Sequence, residues 1–127
     1  MKLKIKSKQT WFFLVALFVL IVIILGLHFF WFGRFYGLTR CLKKQEATLY
    51  GAYWCPHCQR EKDLFGPSAK YLPYVECATR DNWKQRPFCA NYNISKYPTW
   101  LFKDGSRLTG DVSPEQLSAK TGCRLSW

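Results

Sequence analysis

Residues 11–32, WFFLVALFVLIVIILGLHFFWF, contain no Lys, Arg, Asp or Glu. As a helix, such a run spans about 33 Å at 1.5 Å per residue, enough to cross a hydrocarbon core of about 30 Å. Aromatic side chains crowd both ends, Trp11, Phe12 and Phe13 at one and Phe29, Phe30, Trp31 and Phe32 at the other, where interfacial belts sit. A secretory signal has an apolar region of about 7–15 residues and a small-x-small cleavage site. This run is longer, and no Ala-x-Ala pattern follows it. The remainder of a 127-residue chain is too small to wrap a helix that is apolar all round. The expectation is one retained anchor in a lipid bilayer and at most one further domain. His28, the only titratable side chain in the run, reads as an interfacial residue rather than a ligand.

Charge then loses most of its weight as a clue. The formal net charge is +11, but Lys2, Lys4, Lys6, Lys8, Arg34 and Arg40 flank the apolar run and suit lipid headgroups. The other basic residues are scattered, without a run or an aromatic-interleaved stripe, which argues against nucleic-acid binding. The flanking charges lean only slightly toward a cytoplasmic N-terminus. The cysteines decide the orientation: all six (Cys41, Cys55, Cys58, Cys77, Cys89 and Cys123) follow the anchor, a density expected where disulfides persist. The chain therefore reads as a basic cytoplasmic tail (1–10), a transmembrane anchor (11–32), a linker (33–46) and a domain (47–127) in the periplasm or its equivalent. Fully extended, the linker reaches at most about 46–50 Å, keeping the domain near the bilayer.

Within the domain, EATLYGAYW (46–54) reads as a buried strand and LPYVECA (72–78) as a second. A helix is expected from Cys55-Pro56 to Gly66-Pro67, because proline suits a first helical turn. DNWKQRPFCANYNI (81–94) is expected to be helical with an interruption at Pro87, Asp81 or Asn82 capping it. PTWLFK (98–103) and SRLTGD (106–111) flank Asp104-Gly105, a two-residue hairpin signal. Residues 113–122 read as a last helix, with Ser113 as cap, Pro114 in its first turn and Gly122 as stop. The order is β-α-β-α-β-β-α, an α/β domain.

Trp54-Cys55-Pro56-His57-Cys58 lies where the first strand passes into the first helix. A thiolate, not a thiol, attacks disulfides, and a cysteine at a helix N-terminus has its pKa lowered by the dipole and free N–H groups. Cys55 is expected there, exposed; Cys58 lies deeper on the same side of the first turn, within bonding reach. His57 is expected beside the Cys55 thiolate, where a donor or partial positive charge stabilises the reduced form and makes the disulfide more oxidising. An inert structural disulfide is the plainer alternative. A zinc site drawing on Cys55, Cys58, Cys77 and Cys89 is another, but the second half lacks the Cys-x2-Cys spacing of two knuckles. Copper is disfavoured by a single Met and the lack of a His cluster near the cysteines. Asn93-Ile94-Ser95 matches a glycosylation acceptor, a three-residue pattern of little weight.

The stretches YGAYWCPHCQREKDLFG, PYVEC, FCANYNI and YPTW resemble the thioredoxin-like domain fused to bacterial homologues of vitamin K epoxide reductase, over roughly residues 45–123. The central Pro-His is shared with DsbA-type oxidases. The resemblance implies a thioredoxin-like fold behind one membrane helix and a thiol–disulfide oxidoreductase requiring no cofactor or metal. Cys55 and Cys58 would be the catalytic pair, with Trp54, Pro56 and His57 tuning them. It implies reduced proteins as substrates and, since no quinone-reducing bundle is present here, a quinone-linked reoxidase (a vitamin K epoxide reductase homologue or a DsbB-like protein) as a separate chain. It further implies that Pro98 is cis and faces the catalytic pair, with Tyr97 positioned to pair with substrate backbone. Cysteines also stand at both Cys77 and Cys89 in the related domains, as a structural disulfide or a secondary relay. Cys41 and Cys123, near the domain's two ends, are a possible structural pair, although four cysteines allow three connectivities. The family's buried carboxylate in the first strand is missing: Leu49 occupies its position, and Glu46 is the nearest acid upstream. Two rival readings remain, a tethered reductase or isomerase and a non-catalytic zinc- or disulfide-stapled interaction domain.

Overall fold

A computed structural model describes residues 7–33, 35–81 and 83–125. Most of the basic tail, Arg34 and Asn82 therefore lie outside the described residues. The chain divides into two compact units, one ending at Trp31 and the other starting at Phe32.

The first unit is dominated by α1 (Ser7–Gly33). Its stretch Lys8–Phe30 is long and apolar enough to be a candidate membrane span, and none of it is buried. Apolar side chains project all round it, which suits lipid and not a one-sided protein core.

The second unit is a four-stranded sheet with flanking helices. Its strands are β1 (Thr48–Gly51), β2 (Tyr74–Glu76), β3 (Thr99–Leu101) and β4 (Arg107–Thr109), in the order β2-β1-β3-β4. β1 runs parallel to β2, with Gly51 opposite Glu76, and antiparallel to β3. The parallel pair needs a crossover. That crossover is α3 (Pro56–Leu64) followed by a 3-10 turn, Gly66–Tyr71. The antiparallel pair β3–β4 closes through Lys103, Asp104 and Gly105, the last at φ +78°. The connection is thus three residues and not two, a form in which the left-handed residue is ordinarily glycine. α5 (Pro114–Thr121) has Ser113 as N-cap in a reciprocal capping box with Gln116, and left-handed Gly122 at its C-cap.

Two segments differ from the sequence reading. Residues 36–44, expected within a linker, form α2 (Tyr36–Lys44), with Leu38, Thr39 and Leu42 fully buried. Leu38 and Leu42 are four residues apart on one face and join Leu49, Phe65, Trp100 and Leu117 in the main core. The charges of Arg40, Lys43 and Lys44 mask this stripe in the sequence. The Cys41–Cys123 disulfide then ties α2 to the residue after the α5 C-cap.

The expected helix over 81–94 is reduced to α4 (Pro87–Asn91). Ala78 instead bridges Gln85, the Thr79 N–H donates to Lys84 O, and Trp83 stands at φ +60°. Pro87 takes the first helical position and disfavours helical geometry at Arg86 before it. Arg86, in extended conformation, is the N-cap in place of Asp81.

Candidate active site

The backbone from Ala52 to Cys55 turns tightly, Cys55 N–H donating to Ala52 O at 3.0 Å. Cys55 becomes the N-cap of α3, in extended conformation, with Pro56 at the first helical position. Cys58 falls one turn on, inside the helix. Both are thiols, while Cys77 is bonded to Cys89. That disulfide removes two of the four thiolates a zinc site would have used.

Cys55 is not the exposed residue the sequence led us to expect. Only 6% of its surface is accessible, against 1% for Cys58. The cover comes from the segment leading into β3. The Tyr97–Pro98 peptide bond is cis, and Cys55 Sγ lies 3.8 Å from the Tyr97 carbonyl oxygen, which accepts from the thiol. Tyr97 also packs against both small apolar clusters, one holding Cys55 and Cys58 and the other holding Cys77 and Cys89. Trp54 stands beside this contact, 40% exposed, its ring 6.2 Å from that of Tyr97 and 6.1 Å from that of Trp83.

Cys58 is held differently. The Ala52 N–H donates to its sulfur at 3.5 Å. Burial pushes the Cys58 thiol up to about 12, with neighbouring Cys55 adding to the rise and the Ala52 N–H and Lys62 opposing it. Cys58 is therefore a thiol at neutral pH and needs a proton acceptor before it can attack.

His57 does not use its Nδ1 on the cysteines. That nitrogen lies 3.3 Å from both carboxylate oxygens of Asp111, to which it donates when it carries the proton, and 2.7 Å from an Arg60 guanidinium nitrogen, from which it accepts when it does not. Arg60 also reaches Asp111 at 3.3 Å. Desolvation works against it, but the hydrogen bonds from His57 and Arg60 hold the Asp111 carboxyl below its usual range. The His57 side chain is more than half exposed, so this cluster lies in solvent at the mouth of the site.

Neither acid position weighed from the sequence serves the cysteines. Leu49 is fully buried in the main core, and Glu46 is exposed and paired with Lys103 at 2.8 Å. Two other carboxylates lie inside the domain. Glu61, on α3, is fully buried and accepts from the Trp100 indole N–H at 2.7 Å and the Val112 N–H at 2.8 Å. Burial raises its carboxyl above the usual value, and these two bonds oppose the rise. Glu76, on β2, accepts from the Tyr53 and Ala78 N–H groups at 3.1 and 3.0 Å and from the Tyr74 hydroxyl at 2.8 Å. Neither carries a local signal in the sequence; both gain their meaning from distant chain segments.

The end of β1, the helix-capping Cys55, the Cys58 thiol one turn on and the Tyr97–Pro98 segment thus come together at one place. The chain also resembles known proteins. The chain is 37% identical over 93 residues to the thiol-disulfide oxidoreductase LTO1 of Arabidopsis thaliana, which covers 70% of this chain but only 24% of that protein. The model of the thioredoxin family matches residues 42–121, from the end of α2 to the end of α5 and so across the whole sheet and the cysteine pair. The chain belongs to the thioredoxin family.

Proposed function

We propose that the chain is a membrane-anchored thiol–disulfide oxidoreductase that oxidises protein thiols through a Cys55–Cys58 disulfide. The observation that carries this reading is the pair itself: two thiols at the start of α3, with Cys55 against the Tyr97 carbonyl. A substrate thiolate attacks Cys55 and forms a mixed disulfide, and Cys58 leaves as the reduced partner. A second substrate thiol then resolves that bond, the substrate leaves oxidised, and both cysteines are thiols. Cys58 offers escape by attacking Cys55 when resolution stalls.

Reoxidation falls to a separate quinone-linked membrane protein, a vitamin K epoxide reductase homologue or a DsbB-like chain. The CPHC sequence and the motif resemblance support this direction of flow. The relative's printed name supports the reaction class, although the chain spans about a quarter of that protein's length. The candidate span Lys8–Phe30 supports anchoring. The Cys41–Cys123 and Cys77–Cys89 disulfides support a domain on the extracytoplasmic side with a cytoplasmic N-terminus, because such bonds persist in oxidising compartments.

The deciding measurement is the reduction potential of Cys55–Cys58 in the full chain in detergent micelles, read by alkylation and mass spectrometry across a glutathione series. We expect roughly −120 to −180 mV, the range of protein oxidants and isomerases. A value near or below about −270 mV would make the protein a tethered reductase. Cys55→Ser is expected to abolish exchange and Cys58→Ser to accumulate mixed disulfides; full activity in Cys55→Ser would end the assignment.

A further inference from the structure

We propose that Tyr74 and Glu76 form the proton relay that deprotonates Cys58 when it attacks a mixed disulfide on Cys55, a role that rests on the exchange chemistry proposed above. The argument starts at Gly51. A Cβ there would meet Cys58 Sγ at 2.9 Å and, in the Tyr74 ring, Cε2 at 2.9 Å and the hydroxyl at 3.2 Å. The missing side chain thus leaves one small space shared by the Cys58 sulfur and the Tyr74 phenol. Each group lies within 3.2 Å of that one point, so the two are at most about 6 Å apart, a gap that one water bridges.

The next link is already formed. Tyr74 and Glu76 are two apart on β2 and project from one face, and the Tyr74 hydroxyl donates to Glu76 Oε2 at 2.8 Å. The other oxygen, Oε1, is held by the Tyr53 and Ala78 N–H groups, so the carboxylate is aimed by backbone on both sides of the site. The charged and titratable groups facing this space are Cys55 and Lys62 from α3 and Tyr97 from the segment before β3. Lys62 Nζ lies 3.4 Å from the Tyr74 ring centroid. Burial and then the bond to Glu76 hold the Tyr74 phenol above its usual range, which suits a group that passes a proton on without becoming charged.

In the step itself the Cys58 S–H proton moves through one bridging water to the Tyr74 oxygen as the Tyr74 proton moves to Glu76. The Cys58 sulfur attacks Cys55, the Cys55–Cys58 bond forms and the bond from Cys55 to the partner sulfur breaks. The partner leaves as a thiolate with that bond's electron pair, so the pair is oxidised and the partner reduced. Glu76 then returns its proton to the departing thiolate or to solvent.

The test uses the full chain in detergent micelles, reduced at Cys55–Cys58 and mixed with 5,5′-dithiobis(2-nitrobenzoate) in a stopped-flow instrument. The first nitrothiobenzoate release reports attack by Cys55; the second reports attack by Cys58 on the resulting mixed disulfide. In Tyr74→Phe and Glu76→Gln the second rate, taken relative to the first, is expected to fall about tenfold or more at pH 7. The deficit should shrink as pH rises and hydroxide replaces the relay. Tyr74→Phe keeps the ring under Lys62 and carries the test if Glu76→Gln fails to fold. A second release unchanged in Tyr74→Phe, or lowered by one constant factor at every pH, overturns the relay and leaves the oxidoreductase reading standing. Loss of the Cys55-dependent first release in the unmodified chain would overturn both.

Discussion

Cys77 and Cys89 are fully buried and bonded to each other, whereas Cys55 and Cys58, with 6% and 1% of their surface exposed, are thiols. Depth hardly separates the two pairs; their neighbours do. Cys77 follows the end of β2 and Cys89 sits in a five-residue helix, in a cluster with Tyr50 and Ile94. Cys55 caps a nine-residue helix, faces a backbone carbonyl, and has Trp54 and Trp83 standing 40% and 63% exposed nearby. Exposed aromatic surface marks a place where another protein can dock. The contrast teaches that two cysteine pairs of nearly equal depth are told apart by what lies at their edges.

Removing both Cys41 and Cys123 tests the structural side most severely. Their bond spans 82 residues, so the double alanine variant should lose about 4–5 kcal/mol in denaturant unfolding by the chain-entropy relation, with exchange per folded molecule retained. The double alanine variant of Cys77 and Cys89, 12 residues apart, should lose about 3 kcal/mol. If exchange instead collapses while the domain stays folded, that pair is a relay and the contrast fails. Glu61→Gln gives the smallest effect. An amide nitrogen would face one of two N–H donors, at about 1–3 kcal/mol. The Glu61 value is raised above 4.5 in the fold. Its contribution is therefore complete below that pH and is lost as pH rises through the raised value. Urea midpoints measured across this range should slope downward in the native chain and lose that part of the slope in the variant.

Much of the fold could be read locally. The Ser113 cap, Gly122 stop, Asp104-Gly105 turn and Cys55-Pro56 helix start each depend on residues within a few positions. What escaped depends on distant partners. α2 is recognisable only once its Leu38–Leu42 face has a core to enter. The Ala78–Gln85 turn overrides a helical composition because of Pro87. Glu76 looks like an ordinary strand residue until the Gly51 register places it beside Tyr53. The Asp111 partner of His57, 54 positions away, has no signal in the local sequence.

The Cys41–Cys123 bond also governs what a protease can do to this chain. A cut after Lys44, where α2 ends, would not detach the domain from the apolar helix that precedes it. Cys41 would remain joined to Cys123, and Leu38 and Leu42 would stay seated in the core. Shedding by a cut at that place would take two events, the backbone cut and a reductant, and in an oxidising compartment the second is scarce.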